Sequence, residues 1–181
     1  MAALLADLKA LSPTNSGETT LTVLAGVPDR GRIIIVNFEL SGSGVPPEMR
    51  KTGRPCVVLQ NNKLARGRLV TVIPLSTTEP QRAMPYHHLM DHRSFRDWPM
   101  DWDGQGVPRW AKCDYVTTVS LDRCTDPYRK PAYGARRYVK CRAISADVVA
   151  IEKCVLWALG ITPRSRTEEG VPEFVEAQGQ G

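Results

Sequence analysis

Residues 52–76 read TGRPCVVLQNNKLARGRLVTVIPLS, with two apolar runs, Cys56 to Gln60 and Arg68 to Ser76, on either side of a short polar connection. Runs of this length, rich in Val and Ile and bounded by Gly and Asn, read as strands. A connection as short as NNKLARG pairs them antiparallel, because a parallel crossover needs a dozen residues or more. Upstream, RIIIVNFEL supplies a third run, and Ile33 to Val36 are too few and too β-branched for an isolated helix. The segment between them, SGSGVPPEMRKTG (41–53), is a long loop by its glycines and prolines.

Working outward, a short strand is expected around Tyr86 to Met90 and a further one within RWAKCDYVTTVS (109–120). Residues 91–109 hold too many prolines, glycines and tryptophans for a regular element and read as an inserted loop. Helical spacing enters only late. Val148, Ile151, Val155 and Leu159 recur on one face, with Ser145 as the expected N-cap and Gly160 as the stop. The pattern predicts a mainly β protein with some α: a small, strongly curved barrel of antiparallel strands closed by a C-terminal helix.

The chain of 181 residues is long enough for one domain with a real core. Residues 1–27 read as an extension whose opening, MAALLADLKALSP, forms a short amphipathic helix; 28–161 form the body, and the polar 162–181 is expected to be disordered. No apolar run approaches bilayer length, and the opening helix lacks a basic leader, so the expected location is the cytoplasm. A net charge of +5 favours an acidic partner, nucleic acid before a membrane surface. The five cysteines include no CxxC pair and read as small buried hydrophobes rather than as a metal or redox site.

Residues 122–142, DRCTDPYRKPAYGARRYVKCR, interleave Arg129, Lys130, Arg136 and Arg137 with Tyr128, Tyr133 and Tyr138. Cations neutralise phosphates while tyrosine faces stack on unpaired bases, which is how single strands are held; a solvated loop has the same composition. Trp98, Trp102 and Trp110 can likewise stack on bases or build a satellite core. His87 and His88 fall on the short strand, where one faces inward and the other outward, and a histidine is a possible base.

In this order the segments resemble the MazF/PemK/Kid toxins of bacterial type II toxin–antitoxin modules. RGRIIIVNF is similar to that family's opening strand, GRPCVVLQNN to its Arg-Pro strand and LVTVIPLS to its third strand. AKCDYVTTVSLDR is similar to the Arg-Cys-Asp segment of the Kid branch, with Lys112 in the arginine's place, and AISADVVAIEKCVLWALGI to the terminal helix. The resemblance spans roughly residues 28–161. It implies an SH3-like barrel and a metal-independent endoribonuclease without cofactors, which cuts single-stranded RNA through its own 2′-OH. It also implies a homodimer neutralised by an antitoxin. Carried onto this chain, Arg54 meets the phosphate, Ser76 donates to it, and Asp114 and Lys112, one residue apart on a strand, serve as base and acid. Glu48 in the first loop is a weaker base candidate. Two other readings remain open: a gyrase poison like the CcdB toxins of the same fold, and an RNA-binding or scaffold module without catalysis.

Overall fold

The computed structural model describes residues 24, 26–38, 53–64, 67–99, 106–129 and 135–161. The first three strands are β1 (Arg32–Val36), β2 (Arg54–Val58) and β3 (Leu69–Ser76), and all their ladders are antiparallel. Strands β4 (His87–Leu89), β5 (Trp110–Lys112) and β6 (Thr117–Ser120) follow, then β7 (Cys124–Thr125), β8 (Tyr128–Arg129), β9 (Arg137–Tyr138) and β10 (Cys141–Arg142). The one α-helix among the described residues is α1 (Ser145–Ala158). Hydrogen bonds order the main sheet β10-β1-β2-β3-β5-β4, with β7 also on β1 and β6 also on β3, while β8 and β9 pair separately. This path is open at both ends. The antiparallel sheet and the terminal helix match the expected pattern, whereas no ladder among the described residues closes the sheet into a barrel.

Both faces of the central strands are buried, which explains why RIIIV carries no polar alternation. Ile33 and Ile35 belong to a core shared with Val57, Ile73, Leu75, Ala111 and the helix residues Ile151 and Val155. Their neighbours Ile34 and Val36 point the other way, into a second core with Cys56, Val58, Val70, Val72 and Val119. Leu24 joins that second core and donates its N–H to the Cys124 carbonyl at 3.2 Å, so the chain before the body returns to it.

Four sequence expectations change. First, β2 begins at Arg54, two residues before the expected Cys56, directly after Gly53 at φ +76°. Pro55 is accommodated because it faces Ile35 of β1, while the β2–β3 ladder starts only at Cys56. Second, RWAKCDYVTTVS is two strands, not one. β6 pairs with Leu69–Val72 and β5 with Leu75–Ser76, and a 3₁₀ turn at Cys113–Tyr115 spans the gap. Pro74 lies in that gap and has no N–H to continue the ladder.

Third, Ser145 does not cap the helix; the cap is Ile144, whose N–H donates 2.9 Å to Ser94 Oγ from the 91–99 segment. Fourth, Leu159 is 57% exposed, because the helix has already ended at Ala158 and Gly160 turns the chain at φ +70°. The insertion is also less irregular than expected: it contains a 3₁₀ turn, His92–Phe95, and sends Trp98 into the core.

Candidate active site

Alternation along the strands sorts every candidate onto one of two faces. His88 Nε2 lies 2.8 Å from Asp147 of α1, so His88 points to the helix face and its neighbours His87 and Leu89 point to the opposite one. Register then carries that opposite face across the sheet. Leu89 sits opposite Trp110, Trp110 opposite Ser76, Arg54 opposite Val36, and Val36 opposite Cys124. Continuing the β2–β3 ladder two residues beyond Cys56↔Pro74 brings Arg54 opposite Ser76. The result is one row, Cys124–Val36–Arg54–Ser76–Trp110–Leu89, that crosses six strands on one face.

Burial falls along this row. Cys124 and Val36 are core, Arg54 is 8% exposed, Ser76 and Trp110 are half-buried, and Leu89 is 47% exposed. Arg54 therefore stands where the second core opens to solvent. Its Nη1 approaches the Leu75 carbonyl at 3.4 Å, which keeps the guanidinium over the β3 end. The charge is felt inside the core: burial above all, then Cys124, pushes the Cys56 thiol well above its ordinary range, and Arg54 pulls in the other direction. A guanidinium so placed keeps its charge and offers a planar fork to a phosphate.

Ser76 Oγ accepts the Thr78 N–H at 3.1 Å, a local turn that fixes the hydroxyl. Its own hydrogen reaches the Thr78 carbonyl only at 3.5 Å and is free to turn to a ligand oxygen. Lys112 lies one row along, opposite His87, half-buried on the same face as Trp110.

Asp114 departs from expectation. It was placed with Lys112 on one strand face, but the strand ends at Lys112 and Asp114 is exposed in the 3₁₀ turn, so strand alternation no longer aligns the two. Glu48, Lys130 and Tyr133 lie outside the described residues.

The basic segment forms the β8–β9 hairpin. Arg129 and Arg137 are directly opposite each other and both exposed, and Arg136 lies over the Tyr128 ring at 4.4 Å. Like charges facing each other across a ladder repel, and an anion between them removes the penalty.

Sequence reasoning missed what sits on the other face. Asp147, 3% exposed, accepts from His88 Nε2, from the Asp91 N–H at 3.1 Å and from Ser94 Oγ at 2.5 Å. Arg109 is also buried, its guanidinium over Phe95 at 4.6 Å and Trp98 at 5.2 Å. His88, Asp91, Arg109 and Asp147 line a cavity of about 1020 Å³ beside β4. Only the partners' position in space identifies this network, since His88 and Asp147 are 59 residues apart.

The cysteines carry no disulfide, and four of the five are buried. Among the described residues no group of three or more His, Cys, Asp or Glu could hold a metal ion, and no helix is long and apolar enough to cross a membrane.

Residues 29–134 match the family model of PemK-like, MazF-like toxins of type II toxin–antitoxin systems. No curated protein sequence matches the chain. Among solved structures, an endoribonuclease in complex with its cognate antitoxin from Mycobacterial species is 19% identical, covering 74% of this chain and 96% of that one at a TM-score of 0.48. MazF from Deinococcus radiodurans is 15% identical over 75% and 98% of the two chains (TM-score 0.47). The Mycobacterium tuberculosis toxin MazF-mt6 is 16% identical over 71% and 96% (TM-score 0.43). Such distant likenesses carry no functional argument. The family match does.

Proposed function

The chain belongs to the PemK-like, MazF-like toxins of type II toxin–antitoxin systems, and from that premise we propose that it is a toxin endoribonuclease acting on single-stranded RNA in the cytoplasm. The observation that carries the reading is the row itself: a buried arginine and a strand-end serine, adjacent on one sheet face, with a lysine one row away. In this reading the ribose 2′-OH attacks the neighbouring phosphorus, so no protein nucleophile and no metal is needed. The Arg54 guanidinium and the Ser76 hydroxyl stabilise the charge that develops on the phosphorane oxygens. The ammonium of Lys112 protonates the departing 5′ oxygen, leaving a 2′,3′-cyclic phosphate. Asp114 and Glu48 are the carboxylates that the resemblance offers as base.

The β8–β9 hairpin supplies RNA binding in this scheme. Arg129 and Arg137 take phosphates, Arg136 is held on the Tyr128 face, and Lys130 and Tyr133 belong to the same segment. A cognate antitoxin and a second copy of the chain complete the proposed assembly.

The test is cleavage of single-stranded RNA by the purified protein in EDTA. Arg54→Ala is expected to lower the rate on the order of 10²–10³, the cost of removing one transition-state donor. RNA left intact by the wild-type protein, or cut equally fast by Arg54→Ala, refutes the mechanism. Binding without cleavage would identify the RNA-binding module, and inhibited gyrase with intact RNA the CcdB-like alternative.

A further inference from the structure

The two carboxylates offered as base share a weakness: Asp114 has left the strand and Glu48 comes only from the resemblance. The next row on that face, the one of Lys112, contains a better-placed group. His87 projects from β4 onto the face of Arg54 and Ser76, and it stands directly opposite Lys112. Adjacent strands lie about 4.8 Å apart, so Ser76 and His87 stand on strands about 10 Å apart with β5 between them, a gap that a ribose and its phosphate bridge. We propose that His87 is the general base of the cleavage site, taking the 2′-OH proton while Lys112 acts as the acid. This rests on the ribonuclease reading above and deepens it.

Two buried nitrogens on this face stand out. His87 Nδ1 and Trp110 Nε1, on neighbouring strands of this same face, have no hydrogen-bond partner among the described residues. Buried polar atoms are almost always satisfied, and an exception is a mark of a catalytic or ligand-binding place. The Tyr86 ring packs edge-on against the imidazole, with centroids 4.5 Å apart, and holds its plane. Nδ1 is the nitrogen that is buried, which leaves Nε2 to meet the substrate.

The other two histidines are excluded by position. His88 is committed to Asp147 on the helix face. His92 is 90% exposed and 3.3 Å from Asp91, on the inserted turn. The charged groups around His87 are Lys112 on β5, Asp114 in the turn that follows, and Asp147 on α1, the last already held by His88.

The imidazole takes the 2′-OH proton as the 2′ oxygen forms its bond to phosphorus. The bond from phosphorus to the 5′ oxygen breaks, and that oxygen takes a proton from Lys112. The products are a 2′,3′-cyclic phosphate and a 5′-hydroxyl, and both side chains recover by proton exchange with water.

The experiment is the pH dependence of kcat/KM for cleavage of a single-stranded RNA by wild type, His87→Gln, His87→Ala, His92→Gln and Arg54→Ala, with thermal melts verifying folding. Wild type should show a limb that rises with pH on the acid side of the profile, the mark of a base that acts only once it has lost its proton. His87→Gln should lose that limb and fall by about 10²–10⁴-fold, His87→Ala should be partly restored by added imidazole, and His92→Gln should behave as wild type. A folded His87→Gln that keeps both rate and limb overturns the assignment. If Arg54→Ala is inactive in that same series, the ribonuclease reading survives without His87; if wild type cuts no RNA, both fall together.

Discussion

Replacing Asp147 by alanine removes the acceptor of three donors at once. His88 Nε2 at 2.8 Å, Ser94 Oγ at 2.5 Å and the Asp91 N–H at 3.1 Å all converge on this carboxylate, which is 3% exposed. Each buried donor left without a partner costs about 1–3 kcal/mol. Some relief comes from water entering the adjoining cavity, so the net loss should be about 3–5 kcal/mol, the range for breaking a buried charged network. For a domain of this size that corresponds to a fall in Tm of roughly 6–20 °C. Thermal unfolding by circular dichroism reads it directly. A double-mutant cycle with Ser94→Ala should give a coupling of about 1–3 kcal/mol, because the two side chains share one hydrogen bond. RNA cleavage well below the melt should be nearly unchanged, since the network faces the helix and not the Arg54 row. A Tm within about 2 °C of wild type, or an additive cycle, would refute the structural role; a large loss of kcat in a fully folded variant would refute the separation of faces.

Three further perturbations have defined outcomes. Gly31 has φ +82°, and a Cβ there would meet Val148 Cγ2 at 3.1 Å, so Gly31→Ala should cost at least the left-handed penalty of about 1–2 kcal/mol, seen as a lower denaturation midpoint. Asp126→Asn weakens a half-buried bidentate pair with Arg32, whose Nη2 donates to both carboxylate oxygens at 2.6 and 2.7 Å; a loss of about 1.5–3 kcal/mol in urea unfolding is expected. Burial first, then Asp122 for Cys124 and Asp97 for Cys141, pushes both thiols up to about 12. With folded values raised, the unfolded chain ionises first, so stability holds below about pH 8.5 and falls as pH rises toward 12, by about 1.4 kcal/mol per pH unit for each thiol. Urea midpoints from pH 8 to 11 should show the fall, and Cys124→Ala should reduce its slope; an unchanged slope would mean that this thiol ionises as readily folded as unfolded.

What the sequence made legible follows from how local the information is. The runs RIIIV, RPCVV and LVTVIPLS announce strands because β-branching and turn residues act within a few positions. RWAKCDYVTTVS read as one strand because nothing inside it signals a break. The break is imposed by Pro74 on the partner strand, some forty residues earlier. Ser145 looked like a cap by type, yet the oxygen that serves Ile144 comes from Ser94, and no local rule reaches across 50 residues. The site divides the same way. Arg54 and Ser76 were expected from their motifs, and both lie on the β2 and β3 ends of one face, whereas Asp114 was mispaired with Lys112 because that pairing assumed an unbroken strand. His87 had a signal in the sequence, the HH doublet on a short strand, but which histidine faces the site depends on Asp147, and that is a tertiary fact.

The doublet also shows how a thin sheet can keep stability and chemistry apart. Strand alternation gives two adjacent histidines opposite surroundings: His88 is held by a buried carboxylate, and His87 faces a cation with a ring nitrogen unsatisfied. On the helix face the Asp147 carboxylate takes His88 Nε2, Ser94 Oγ and the Asp91 N–H at once, and such a network is rigid. The other face sets beside a buried guanidinium and a serine fixed by its own turn an indole Nε1 and an imidazole Nδ1 that have no hydrogen-bond partner among the described residues. Unsatisfied buried nitrogens are costly to hold, and the strands that carry them are backed by α1, whose Ile151 and Val155 pack against Val57, Ile73, Leu75 and Ala111. The anchoring explains a feature that otherwise has no local cause: the polar end of α1 is capped not by its own sequence but by the segment that leaves β4. The cap ties the segment that follows β4 to the helix, while the register that sets His87 opposite Lys112 is held by the β4–β5 ladder itself, so the two faces are secured by separate contacts.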